Sequence, residues 1–275
     1  EDKELNQLGY GQEYQIKYTL EPVDATASLL TWTSDNPDMI SVDKTGKLKV
    51  HTTKTASAVI TASYGPVVQN VTVTVADGRF WYSLGNGLGN GQDNNWYLDG
   101  NGASVVSSDG KKTIVQMGSG YRGDLWLARS GKGKVVNVTP ADYRYFAIKV
   151  GFKSQLVPGK NKPNGCIKLE IFDDGIKKIG PEYFGTGGDA NNRYEILGAS
   201  EISTTEPNVL YYDLQSKYKT VTPTDWNQVF DLAQCKFVIA DFPETAQTYD
   251  LYWIRSFKSI EELQAFVDSE NNTNE

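Results

Sequence analysis

Aromatic side chains that lie close to polar ones are the feature of this chain that could carry chemistry. The sequence contains 6 Trp, 16 Tyr and 10 Phe. Flat rings stack on the apolar face of a sugar ring, while Asn, Asp, Arg and Gln hydrogen-bond its hydroxyl groups. The candidate carbohydrate-binding residues that combine these properties are Trp96, Tyr121, Arg122, Asp124, Trp126, Tyr183 and Arg193.

These candidates fall into two groups that need not form one site. In residues 120–127 the alternation places Leu125 and Leu127 on one face of a strand and Asp124 and Trp126 on the other, which suits the concave face of a sheet. The remaining candidates belong to loops and suit one end of a β-sandwich. They are Trp96, Tyr121, Arg122 and the 183–193 loop with Tyr183 and Arg193.

Each loop aromatic also has a structural interpretation. Trp96 ends a Gly- and Asn-rich stretch, residues 85–97, that is too polar for a core, yet Trp96 itself could anchor that loop by packing. Tyr183 could fold beneath a long hairpin. Further along, Trp253 and Arg255 share a side of a predicted strand and could join Asp124 and Trp126, or be a core residue and a surface ion-pair partner.

Catalysis is not expected. His51 is the single histidine, so His-dependent triads and multi-His zinc sites are excluded unless His51 takes part. A jelly-roll glycoside hydrolase is the alternative, and it needs two carboxylates roughly 5 Å apart. Glu170 with Asp173, and Asp213 with Asp241, are the conceivable pairs.

No cofactor is expected. Cys166 and Cys235 occur in apolar strand-like stretches without metal-ligand spacing, and the sequence leaves open whether they form a disulfide or remain buried thiols. The oxygen-rich runs 93–95 and 173–174 leave a structural Ca²⁺ open, although neither has EF-hand spacing.

Composition restricts the partners. The formal net charge of −7 and the pI near 4.9 give no basic footprint, so we expect no nucleic-acid partner. The apolar runs are far shorter than the roughly 20 residues that cross a bilayer. No signal peptide precedes Glu1, so we expect a trimmed mature piece.

The composition changes near Asp77 and Gly78. Residues 1–77 contain five aromatic residues and no Phe, whereas most aromatic residues and glycines follow. Both parts are rich in short alternating segments separated by turn residues, which predicts an all-β protein of two sandwich domains, 1–77 and 78–275.

The first domain carries strand patterns in TWTSDNPDMISVDKTGKLKV, SAVITASYG and VTVTVAD. Trp32 and the alternating Val71, Val73 and Val75 supply the expected inward face. Residues 10–76 resemble a bacterial immunoglobulin-like group 2 domain, although the turn before Ala58 lacks the glycine common in that family. The resemblance implies a spacer or adhesion module without catalytic residues.

The second domain is predicted to be a jelly roll with two helical stretches, 224–230 and 259–267. Ser259 and Glu262 form a capping box at the start of the latter, and Leu263 and Phe266 lie on its apolar face. The segments YRGDLWL, YRYFAIKV, LYYDL and YDLYWIRSFKSIEELQAFV resemble the galactose-binding-like jelly roll of Bacteroides-type surface lipoproteins.

That second resemblance implies a polysaccharide-utilisation system. Its expected partners are a polysaccharide or oligosaccharide and an outer-membrane glycan importer complex, with a lipid anchor outside the present sequence and a location on the outer-membrane surface. The predicted function is therefore non-catalytic carbohydrate binding. A structural or adhesion module that binds a protein partner is the alternative from another class.

Overall fold

The structure is a computed structural model. It describes residues 2–22, 25–91, 95–99, 102–118, 123–128, 136–153, 166–173, 194–215, 225–240 and 248–272, without the side chains of residues 128, 166, 168, 172, 173 and 240. The described residues confirm the all-β fold, with one α-helix near the C-terminus. The chain forms two compact units, Glu1–Tyr82 and Ser83–Glu275.

The first unit contains two sheets. One has the order β1-β7-β6-β3, in which β1 and β7 are parallel, and the other has the order β2-β5-β4. Their strands are β1 (Glu4–Tyr10), β2 (Glu13–Gln15), β3 (Thr31–Ser34), β4 (Ile40–Val42), β5 (Lys47–Val50), β6 (Ala56–Tyr64) and β7 (Val67–Ser83).

The core of the first unit follows the predicted alternation. Val71, Val73 and Val75 are buried, together with Ile60 and other apolar residues. Trp32 is half-buried and packs against this cluster. The alternating valines therefore form the inward face that the sequence predicts.

The second unit contains two antiparallel sheets. One has the order β15-β16-β13-β18-β10-β9, and in the other β17 pairs with β11, β12 and β14, while β11 also pairs with β8. Their strands are β8 (Tyr97–Asp99), β9 (Ser104–Ser108), β10 (Thr113–Gln116), β11 (Asp124–Ala128), β12 (Val136–Val138), β13 (Tyr145–Phe152), β14 (Cys166–Asp173), β15 (Glu195–Ile196), β16 (Asn208–Asp213), β17 (Phe230–Ala240) and β18 (Thr248–Phe257).

The two sheets of the second unit pack face to face. The ring of Phe237 on β17 lies 5.9 Å from that of Phe146 on β13 and 5.8 Å from that of Tyr212 on β16. The Tyr212 hydroxyl donates a hydrogen bond of 3.1 Å to the carbonyl oxygen of Ile167 on β14. These contacts give the unit a sandwich-like core.

The C-terminal helix, α1 (Ile260–Asn272), begins one residue after the start of the predicted stretch 259–267 and ends five residues after its end. The Glu262 backbone N–H donates to Ser259 Oγ at 3.2 Å, and the Lys258 N–H donates to the Glu262 carboxylate at 2.7 Å. Side-chain capping therefore sets the start of α1. No described helix is long and apolar enough to cross a membrane.

The second predicted helix, over residues 224–230, is wrong for its described part. Residues 226–227 form a turn, and β17 already begins at Phe230. The Asp225 carboxylate accepts a hydrogen bond from the Asn227 N–H at 2.8 Å. Such an Asx-type bond offers the backbone an alternative to a helical turn.

The helix α1 packs on β18 through aromatic rings. The Phe266 ring lies 5.5 Å from that of Trp253 and 5.7 Å from that of Phe257, and Leu263 is completely buried. Glu270 Oε2 accepts hydrogen bonds of 3.1 Å from Trp253 Nε1 and Lys149 Nζ. The helix thus covers part of the β13–β18 surface.

Strand β7 runs through the Asp77–Gly78 junction that composition marks as the boundary. Beyond that junction, Phe80 and Tyr82 are buried, and their rings lie 6.1 and 5.2 Å from that of Tyr10. The compact first unit therefore continues to Tyr82.

We expect fragments 1–82 and 83–275 each to unfold cooperatively, because each unit has its own core. A fragment 1–77 should be less stable than 1–82, since it leaves Tyr10 without the rings of Phe80 and Tyr82. Thermal denaturation followed by circular dichroism tests this. Equal melting temperatures for 1–77 and 1–82 would show that these rings contribute nothing to the first unit.

Replacing Leu263 with Ala should lower the free energy of unfolding of the second unit by about 2–5 kcal/mol, the usual cost of a buried Leu→Ala change. Gln264→Ala, at an exposed position on the same helix, is the control and should change the free energy by less than about 0.5 kcal/mol. Urea denaturation of fragment 83–275 measures both. An unchanged midpoint for Leu263→Ala would contradict the packing of α1 described above.

Candidate functional site

A row of functional side chains crosses four neighbouring strands of the second unit. Trp126 on β11 lies opposite Tyr97 on β8 and opposite Lys236 on β17, and Lys236 also lies opposite Glu170 on β14. Because β11 and β14 both pair with residues 235–237 of β17, they occupy its two edges. We call Tyr97, Trp126, Lys236 and Glu170, with Asp124, the Lys236 cluster.

The Lys236 cluster lies on the face of the sheet that points away from the sandwich core. The neighbouring row contains Leu125, Phe237 and Leu169, all of which are completely buried. Since successive side chains of a strand point to opposite faces, the cluster occupies the other face. Asp124 shares this face because it lies two residues before Trp126.

The ammonium group of Lys236 is the centre of the cluster. It donates a hydrogen bond of 3.1 Å to Asp124 Oδ2 and lies 3.1 Å from Glu170 Oε2. The same nitrogen is 4.4 Å from the centre of the Trp126 ring, a cation–π distance. Three strands therefore hold one cation between two carboxylates and an indole.

The cluster is largely withdrawn from water. Its exposed fractions are 5% for Asp124, 7% for Glu170 and 8% for both Trp126 and Lys236, while Tyr97 is half-buried. Gln234, two residues before Lys236, donates a hydrogen bond of 3.1 Å from Nε2 to Glu170 Oε2. Low exposure strengthens these polar interactions, and each charge has an opposite partner that offsets part of its desolvation cost.

Of the predicted carbohydrate-binding residues, the structure brings Asp124 and Trp126 together. Trp96, the one other predicted residue that the structure describes, does not join them. Tyr121, Arg122, Tyr183 and Arg193 lie outside the described residues.

The expectation that Trp96 displays a stacking surface is wrong. Trp96 has an exposed fraction of 0%, and its ring lies 5.5 Å from that of Phe237 and 6.4 Å from that of Phe146. Its backbone carbonyl accepts a hydrogen bond of 2.6 Å from the Gly89 N–H. Trp96 therefore anchors the glycine-rich loop by packing into the core, which is the structural alternative stated above.

Trp253 and Arg255 do not extend the site. They belong to β18, in the other sheet of this unit, and lie beneath helix α1. The guanidinium carbon of Arg255 is 4.4 Å from the centre of the Phe266 ring. Trp253 is a core residue, and Arg255 is buried with its guanidinium against an aromatic ring, so it does not lie at the surface.

The carboxylate pairs considered for hydrolysis do not appear among the described residues. Arg144 donates two hydrogen bonds, of 2.7 and 2.6 Å, to the carboxylate of Asp213, which makes Asp213 part of a structural ion pair. Asp241 and the side chain of Asp173 lie outside the described residues. The carboxylate near Glu170 is instead that of Asp124, because both contact the ammonium group of Lys236.

The two cysteines do not face each other in the sheet. Cys166 lies opposite Ala240, whereas Cys235, five residues before Ala240 on β17, lies opposite Ile171. Cys235 is a free, buried thiol, and burial raises its pKa. The register therefore excludes a disulfide between these cysteines in this fold.

No group of three or more His, Cys, Asp or Glu residues within the described ranges could hold a metal ion. The run 93–95 lies outside those ranges except for Asn95, and in the run 173–174 only the backbone of Asp173 is described. His51 belongs to the first unit, where its Nε2 is 2.7 Å from Ser41 Oγ.

Residues 84–263 match a protein family described as a domain of unknown function, DUF4979. The match spans more than half of the chain and includes every residue of the Lys236 cluster. The chain belongs to the DUF4979 family. No curated protein matches the chain.

Three solved structures are similar to this chain at low sequence identity. A candidate glycoside hydrolase from Bacteroides thetaiotaomicron has 11% identity, 83% coverage of each chain and a TM-score of 0.32. Domains 4 and 5 of the S-layer protein SbsC have 13% identity, cover 73% of this chain and 66% of theirs, and have a TM-score of 0.20. The CBM51-2 and INT domains of Clostridium perfringens ZmpB have 12% identity, cover 91% of this chain and 47% of theirs, and also have a TM-score of 0.20.

Sequence reasoning missed Tyr97 and Lys236 and placed Glu170 in a different pair. One signal for Lys236 exists, because it interrupts the apolar stretch CKFVIA, where a charged residue requires a partner or solvent. That signal identifies an unusual lysine but not its partners, since they come from strands more than 60 residues away along the chain.

Removing the cation of this DUF4979 domain should destabilise it. Lys236→Met leaves the carboxylates of Asp124 and Glu170 buried without their ammonium, so the free energy of unfolding should fall by about 3–5 kcal/mol. A neutral triple variant, Asp124→Asn with Glu170→Gln and Lys236→Met, should recover most of that loss. Urea denaturation measures both variants, and a Lys236→Met protein as stable as the wild type would show that the pairs contribute nothing.

Proposed function

We propose that the DUF4979 domain of this protein binds carbohydrate without cleaving it, at the Lys236 cluster. The observation that carries the proposal is the single row in which Tyr97, Trp126, Lys236 and Glu170 lie side by side across four strands. Strands in a sheet are roughly 4.8 Å apart, so the row spans about 14 Å. That length accommodates a short oligosaccharide segment.

The chemistry of the cluster suits a sugar. The half-buried ring of Tyr97 supplies accessible apolar surface, the Trp126 ring beside it is 8% exposed and contacts Lys236, and the carboxylates of Asp124 and Glu170 are the acceptors for hydroxyl groups. The contacts to Lys236 hold these carboxylates in place before a ligand arrives. Preorganised polar groups lose less conformational entropy on binding than mobile ones.

A glycoside hydrolase is the second candidate, because Asp124 and Glu170 both lie 3.1 Å from the same nitrogen and are therefore close neighbours. Hydrolysis by the usual mechanism requires one of the two carboxyl groups to donate a proton to the leaving oxygen. In this site an ammonium group contacts both carboxylates. A nearby positive charge favours the ionised form of each, whereas the hydrolytic mechanism needs one of them to be protonated. Binding is therefore preferred over catalysis.

The proposed setting is the outer surface of a bacterium, where the protein would be lipid-anchored and would present polysaccharide to an outer-membrane importer. The resemblance of residues 78–268 to surface lipoproteins supports this setting. A docking module for a protein partner remains the alternative function, and it predicts no affinity for any polysaccharide.

Affinity gels with a panel of plant, host and microbial polysaccharides test the proposal. We expect at least one polysaccharide to retard the wild-type protein. Tyr97→Ala should raise the Kd of that interaction by about fivefold or more, a loss of at least ~1 kcal/mol. The control is Tyr252→Ala, a half-buried tyrosine on β18 in the other sheet, which should leave the Kd unchanged.

Three results would contradict the proposal. Absence of retardation by every polysaccharide would favour the protein-docking module. Equal effects of Tyr97→Ala and Tyr252→Ala would place the binding surface elsewhere. Release of reducing ends from a bound polysaccharide would favour the hydrolase.

A further inference from the structure

One end of the first unit carries exposed apolar side chains. Strands β6 and β7 form a hairpin whose last pair is Tyr64 and Val67. Tyr64 is 53% exposed, Val67 is 57% exposed and Val68 is 53% exposed. Apolar side chains that lie together at a surface mark a contact with a protein or a membrane, whereas single ones are ordinary.

Leu29 joins these residues from another segment of the chain. It is 56% exposed and lies just before β3, which begins at Thr31 opposite Ser63 of β6. The next residue of β6 is Tyr64, so the two segments meet at the same end of the sheet. We call Leu29, Tyr64, Val67 and Val68 the hairpin patch.

The segments that form the hairpin patch are uncharged. Residues 25–34 and 55–76 contain no Asp, Glu, Lys or Arg, although such residues make up 22% of the chain. Transfer of a charged group from water to an apolar phase costs far more than transfer of an apolar one. The hairpin patch can therefore approach an apolar phase without that cost.

The chain enters the first unit on the side of the hairpin patch. Strand β1 is parallel to β7, and its first residue, Glu4, lies opposite Thr72, five residues after Val67. The chain leaves the unit beyond Tyr82, at the other end of β7. A lipid attached ahead of β1 would therefore hold the hairpin patch next to a membrane.

We propose that the hairpin patch is a shallow membrane contact and that its occupant is the surface of a lipid bilayer. This inference goes beyond carbohydrate binding and rests on the proposed lipid-anchored setting. A single lipid chain binds a membrane only marginally and reversibly, so a second contact is needed for stable anchoring. Tyr64 suits that contact because tyrosine favours the boundary between the apolar and the aqueous phase.

The size of the hairpin patch favours a membrane over a protein partner. A stable protein interface buries roughly 800 Å² on each partner, which four half-exposed side chains do not supply. As the second of two contacts with a bilayer, the patch needs to contribute only part of the affinity.

Vesicle binding by the full chain tests the proposal. The protein carries an N-terminal histidine tag, and the vesicles consist of phosphatidylcholine with a nickel-chelating lipid, so the tag supplies the first contact. Val67→Asp should raise the apparent Kd, measured by sedimentation, by about fivefold or more, because the new charge resists entry into the bilayer. Val106→Asp is the matched control and should leave the Kd unchanged, since Val106 on β9 of the second unit is also 57% exposed.

Two further variants separate the contact from effects on folding. Val67→Leu keeps the hairpin patch apolar and should bind as tightly as the wild type. Leu29→Asp places a charge in the patch outside the hairpin and should weaken binding as Val67→Asp does. The melting temperature of each variant shows whether it is folded.

Three results would overturn the proposal. Folded Val67→Asp and Leu29→Asp proteins that bind as the wild type does would show that the hairpin patch does not touch the bilayer. Equal losses in Val67→Asp and Val106→Asp would show a general effect of charge. A wild-type dimer in analytical ultracentrifugation that Val67→Asp dissociates would identify a second copy of the chain as the occupant.

The test is independent of the proposed carbohydrate binding. Retardation by polysaccharide in affinity gels should be the same for Val67→Asp as for the wild type, because the Lys236 cluster belongs to the second unit. Loss of vesicle binding and absence of carbohydrate binding are therefore separate failures.

Discussion

The pairing of strand β17 with β11 on one edge and with β14 on the other is the constraint on which the second unit depends. Phe237 points into the sandwich, where its ring meets those of Trp96, Phe146 and Tyr212. Lys236, the residue before it, points to the opposite face. A register shift of one residue would exchange these faces, so the packing of Phe237 also fixes the position of the charged cluster.

Alternation along a single strand was sufficient to predict part of the site. It placed Asp124 and Trp126 on one face and Leu125 and Leu127 on the other, and the structure brings the first two together around Lys236. It could not supply Glu170 or Tyr97, because their position depends on which strands are neighbours. That information lies in long-range pairing, which local periodicity does not contain.

Composition misled the prediction where a large side chain lies within a polar loop. Trp96 follows a run of glycines and asparagines, yet it is completely buried against Phe146 and Phe237. Most residues of this stretch are glycine, asparagine or aspartate, which supply little apolar surface, so the stretch needs an anchor. Helix α1 shows the reverse case, since its capping residues Ser259 and Glu262 made its start predictable from local sequence alone.

A buried ion network is a poor device for stability alone, since well-packed apolar residues of similar volume commonly stabilise a protein as well or better. The opposite face of the same sheet shows that these strands accommodate apolar side chains, with Leu125, Phe237 and Leu169 in the adjacent row. The outer face instead carries Lys236, whose ammonium group lies at ion-pair distance from Asp124 and Glu170 and at cation–π distance from the Trp126 ring. The proposed recognition of a polar ligand would account for this arrangement.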